Sequence, residues 1–61
     1  IFARDAAYAL QNVLGRKVWV QPGPDGFTIA KGYDKPVGPL TAVDLLDHVR
    51  AVRAEAQPAA A

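Results

Sequence analysis

Apolar residues near the start of the chain recur at helical spacing. Ala3, Ala6, Ala7, Leu10, Val13 and Leu14 share one side of a 3.6-residue repeat; Arg4, Asp5, Tyr8, Gln11 and Asn12 share the other. Alanine-rich sequence favours helix, and Gly15 offers a C-terminal stop. The pattern predicts a helix over residues 3–14.

The period then changes to two. Across Arg16–Gln21, Val18 and Val20 point one way, and Lys17, Trp19 and Gln21 the other. Pro22-Gly23-Pro24-Asp25-Gly26 is turn chemistry, with Gly26 suited to a left-handed conformation. Gly26–Lys31 reads as the return strand, with Phe27 and Ile29 on one face and Thr28 and Ala30 on the other. Gly32–Pro39 carries two Gly and two Pro and reads as a loop.

A second helix is predicted to open at Thr41. Thr41 followed by Asp44 is a capping-box variant, and Leu40 with Leu45 can form a hydrophobic staple. Ala42, Leu45, Leu46, Val49, Val52 and Ala56 form its apolar stripe. Asp44 and Asp47 sit early and Arg50 and Arg53 late, as the helix dipole favours. The expected fold is α+β, helix–β-hairpin–helix, with both helices on the Val18/Phe27 face. Residues 1–56 form the domain, and Gln57–Ala61 reads as a tail or linker.

Size sharpens the question of what covers the hairpin. With 61 residues the chain is one small domain, for which core burial alone yields thin stability. Such scaffolds use a disulfide, a metal or a partner. There is no Cys and one His, which removes disulfides and thiolate metal sites and argues against a protein-built zinc site; no cofactor is expected. The lack of Cys fits a reducing compartment such as the cytoplasm. A lone hairpin is marginal in water, and its edges are templates for a further strand.

Charge excludes more than it suggests. Seven Lys plus Arg stand against six Asp plus Glu, for a net charge of +1. That balance gives little electrostatic reason to bind nucleic acid or an anionic membrane. No apolar run reaches membrane-spanning length. The chain starts at Ile1 and has no Met, so the numbering is expected to begin inside a longer translated chain or after trimmed residues.

Candidate chemistry is sparse. Trp19 reads either as a binding anchor or as a side chain packed under the Gly32–Pro39 loop or against a helix. Arg16, Lys17, Lys31 and Lys35 form a mildly basic strip that either meets an acidic peptide tail or a phosphate backbone, or only protects an edge strand from aggregation. Asp44 and His48 share a helix face, but no Ser or Cys nucleophile accompanies them, and a solvated face accounts for the pair. Tyr8 and Tyr33 read as core or rim. The glycine-bearing turns match no phosphate-loop spacing. An enzyme is not expected, because no residue set supplies nucleophile, base and pocket together.

With these elements placed, the chain resembles the TubC-type N-terminal docking domains of nonribosomal peptide and polyketide synthetases. The similarity rests on Gly15, Val18-Trp19-Val20, Phe27-Thr28-Ile29-Ala30, Gly38-Pro39-Leu40-Thr41, and Leu45-Leu46 through Arg50, Arg53 and Glu55. It covers residues 6–56, nearly the whole chain. The resemblance implies a module that captures the C-terminal linear motif of an upstream subunit by strand addition to the hairpin. The expected contact residues are Lys17, Trp19, Phe27, Thr28, Ile29, Ala30 and Lys31, on the second strand and its neighbour. The alternative is a stand-alone phage- or plasmid-type regulator, a homodimer that pairs hairpins and binds DNA or a host protein.

Overall fold

The computed structural model describes residues 2–56. In order they form α1 (Phe2–Leu14), β1 (Trp19–Gly23), β2 (Gly26–Lys31), β3 (Val37–Leu40) and α2 (Ala42–Ala56). The strands make one antiparallel sheet in the order β1-β2-β3, so the second strand is the middle one. The fold class is α+β as expected, with one strand more. The expected tail Gln57–Ala61 lies outside the described residues.

α1 follows its sequence pattern except at Val13, which is half-buried and is not among the residues packed on the core. Ala3, Ala6, Ala7 and Leu10 are buried, and Leu14 packs against them. The Gly15 amide donates to the Gln11 carbonyl at 2.8 Å and closes the last turn. The small alanine side chains let the helix sit close on the sheet. Val18, Val20 and Ile29 meet it from below, so the predicted inner face of the hairpin is the core face. Phe2, which the pattern did not include, meets Phe27 edge to face with ring centroids 5.2 Å apart.

The hairpin is shifted from its predicted bounds. The first strand runs over Trp19–Gly23 rather than Arg16–Gln21, and the turn shrinks from five residues to Pro24-Asp25. Pro22 pairs with Phe27 and Gly23 with Gly26, so the ladder runs up to the turn. A proline is tolerated there because β1 is an edge strand. Between Trp19 and Val20 the register slips: Trp19 pairs with Lys31 and Val20 with Ile29.

The loop expected over Gly32–Pro39 contains a strand. Val37 pairs with Ile29 and Leu40 with Phe27, which sets Gly38 and Pro39 against Thr28 alone. Val37 and Leu40 both pack against the core, and that burial holds this irregular segment in the sheet. Glycine makes the close approach possible. A Cβ on Gly38 would come 2.6 Å from the Phe27 carbonyl oxygen, and one on Gly26 would come 2.5 Å from that of Leu40. Both take positive φ, 127° and 129°.

α2 keeps its predicted cap. The Asp44 amide donates to Thr41 Oγ1 at 3.1 Å, and the Leu45 amide to the Thr41 carbonyl at 2.8 Å. Its apolar stripe is narrower than expected. Leu45 and Val49 are buried and Val52 half-buried, while Ala42, Leu46 and Ala56 face outward. None of the described helices is long and apolar enough to cross a membrane.

Candidate docking groove

With β2 in the middle, the outer edges of the sheet belong to β1 and β3. Antiparallel pairing decides which groups of β1 look outward. Gly23 and Gly26 flank a two-residue turn, so their backbones bond to each other. Alternation then turns the backbone groups of Val20 and Pro22 away from β2. The same alternation sends those of Phe27 and Ile29 to β3, where their partners are Leu40 and Val37. The outer edge of β1 therefore offers the Val20 N–H and the Val20 and Pro22 carbonyls. Pro22 adds no donor. One step earlier, the Val18 carbonyl accepts from Gln11 Nε2 of α1 at 3.3 Å.

Along this edge runs a groove of about 560 Å³ between α1 and β1. Its floor is Ala3 and Ala7 from the helix, Val18 from the link before β1 and Val20 from β1, all buried. Tyr8 and Trp19 flank it, 56% and 61% exposed, and Arg4 and Gln11 complete the lining. The register slip beside Trp19 leaves Ala30 as an extra residue on β2, a break in the regular ladder at the mouth of the groove. Small residues on α1 leave the depth, and two large exposed rings stand beside it.

The expected contact residues divide. Lys17, Trp19, Ala30 and Lys31 are exposed, and Lys31 pairs with Trp19. Thr28 is half-buried. Phe27 is half-buried on Phe2, and Ile29 is fully buried. Strand addition along the second strand is excluded, since β1 and β3 already occupy its two edges. Of the alternatives for Trp19, packing under the loop is excluded by its exposure. Arg4, Tyr8 and Gln11 of α1 were missed as site residues. Their spacing of four and three, with an aromatic ring among polar residues, was the available signal.

The basic strip is also divided. The Arg16 Nε donates to the Gly32 carbonyl, and its guanidinium lies 5.8 Å from the Tyr33 ring centroid. Arg16 thus ties the α1–β1 link to the β2–β3 link. Lys17 and Lys31 stay exposed near the groove, with Arg4 on its wall.

His48 is not part of a solvated Asp44 pair. It is half-buried, with Nε2 2.7 Å from the Tyr33 hydroxyl and ring centroids 5.6 Å apart. Burial pushes the Tyr33 phenol above its ordinary pKa; the charge of Arg16 opposes this, and that of Glu55 adds to it. The pair fastens the β2–β3 link to α2. Among the described residues no cluster of three or more His, Cys, Asp or Glu could hold a metal ion. No family model, curated protein or solved structure matches this chain.

Proposed function

We propose that this chain is a non-catalytic docking module that binds a short peptide motif of a partner subunit by strand addition to its hairpin. The observation that carries the reading is the unpaired outer edge of β1, bordered by a groove beside which Tyr8 and Trp19 stand exposed. An extended peptide laid along β1 would meet the Val20 N–H and carbonyl and drop alternate side chains onto the Ala3/Ala7 floor. Two rings would lose solvent exposure, and aromatic anchors of this kind dominate small interfaces. Arg4, Lys17 and Lys31 suit a peptide that carries carboxylates.

The edge is short, so affinity rests on the side-chain pockets, with Kd on the order of micromolar. The resemblance to TubC-type docking domains supports the same reading. On that resemblance the peptide would be the C-terminus of an upstream synthetase subunit, met in the cytoplasm.

A displayed library of random peptides, selected on the 61-residue chain, tests the proposal. The expected binders perturb the amides of α1 and β1 in a heteronuclear correlation spectrum and are lost with Trp19→Ala. Binders that perturb only β3, or that ignore Trp19→Ala, would overturn it. For acidic binders, Lys17→Glu and Lys31→Glu are expected to weaken binding; unchanged affinity in both removes the charge steering.

A further inference from the structure

α2 has apolar surface that the core does not use. Leu45, Val49 and Val52 turn inward, yet Val43 is 66% exposed and Leu46 42% exposed on the outer side. Val43, Asp47, Arg50 and Ala54 recur at steps of four, three and four, which places them in one stripe along the helix. All four are exposed, and none lines the α1–β1 groove.

The stripe is complementary to itself when inverted. A two-fold axis across the middle of α2 exchanges Val43 with Ala54 and Asp47 with Arg50. A second α2 packed antiparallel would therefore set a large apolar residue against a small one at each end. At the centre it would set a carboxylate against a guanidinium, twice. Leu46 flanks the stripe and would cover the Arg53 stem of the second copy. Parallel packing would stack Asp47 on Asp47 and Arg50 on Arg50, which like-charge repulsion opposes. The existing contact between Arg50 and Asp47 is loose at 3.9 Å and exposed, so both groups are available to a second copy.

We infer that the outer face of α2 is a self-association surface whose occupant is the antiparallel α2 of a second copy of this chain. Four turns of one helix make a small interface, so the dimer is weak, with Kd on the order of 100 µM. It is distinct from hairpin pairing, because it leaves the β1 edge open.

Sedimentation equilibrium of the 61-residue chain up to about millimolar concentration tests it. The mass is expected to rise toward that of a dimer. Asp47→Arg alone and Arg50→Asp alone are each expected to weaken association by about tenfold or more, and the double swap to restore it to within about threefold. Circular dichroism checks that each variant keeps its helices. A monomer at every concentration overturns the inference. So does a dimer that both single variants leave unchanged, or one that the double swap fails to restore.

Discussion

The Tyr33 hydroxyl and His48 Nε2 lie 2.7 Å apart, fifteen residues distant in sequence. The bond crosses from the β2–β3 link to α2, and Arg16 reaches the same ring from the α1–β1 link. Two of the long connections of this small fold are fixed at one phenol. Removing the hydroxyl with Tyr33→Phe is expected to cost about 1 kcal/mol of unfolding free energy. His48→Ala should cost a similar amount, and the two losses should not add. Urea unfolding of both variants and the double variant reads the coupling.

The same phenol gives an alkaline signature. Its folded-state pKa lies above the ordinary 10.0, chiefly through burial. The folded state therefore favours the neutral form, and that stabilisation is fully present below the ordinary value. It is lost as pH rises through the folded-state pKa. The stability advantage of the native chain over Tyr33→Phe is expected to hold near neutrality and shrink above about pH 10. Urea midpoints of the two proteins, compared from neutral to alkaline pH, give the test.

Glycines at two places should respond unequally to Ala. At Gly15, φ is 71° and nothing lies within 4 Å of an added Cβ, so Gly15→Ala costs only the left-handed strain, about 1 kcal/mol. At Gly38 the added atom meets the Phe27 carbonyl at 2.6 Å and the backbone of Thr28 and Leu40 close behind it. None of these is a flexible side-chain end. Gly38→Ala is expected to cost about 2–4 kcal/mol and to release β3, read as lost amide protection along β2 and β3.

Thr41→Ala removes the oxygen that caps the Asp44 amide. The expected loss is about 1 kcal/mol, with Thr41→Ser close to neutral. Thermal unfolding followed by circular dichroism distinguishes them.

Trp19 and Ile29 face opposite fates. Ile29 is wholly buried, so Ile29→Ala is expected to cost about 2–5 kcal/mol and to unfold much of the population. Trp19, 61% exposed, should cost within about 0.5 kcal/mol as Trp19→Ala. A large loss at Trp19 would show that its ring supports the fold rather than standing ready for a partner.

Much of this architecture was legible along the chain. The 3.6-residue recurrence of Ala3, Ala7 and Leu10, the Thr41 cap, and the alternation around Val18 and Val20 are local patterns. Each reflects bonding or burial decided within a few residues. The bounds of the hairpin were less legible, because the prolines at 22 and 24 read as one long turn. Tertiary pairing kept Pro22 in an edge strand, where its missing amide hydrogen is tolerated.

By itself the sequence determined two helices, a hairpin and the core face of that hairpin, since local periodicity records which side of each element avoids water. It did not determine β3. Val37-Gly38-Pro39-Leu40 has no alternation and carries Gly and Pro at its centre, and it is a strand because Phe27 and Ile29 had an unpaired edge beside it. That pairing closed the free edge of the second strand and left those of β1 and β3 open, so the candidate site lies on β1 rather than β2. Tyr8 joined Trp19 through a different tertiary contact: only the packing of α1 on β1 brings a helix surface and a strand edge together. The partners across those distances are chosen by the burial of the whole core, which no single stretch of sequence encodes.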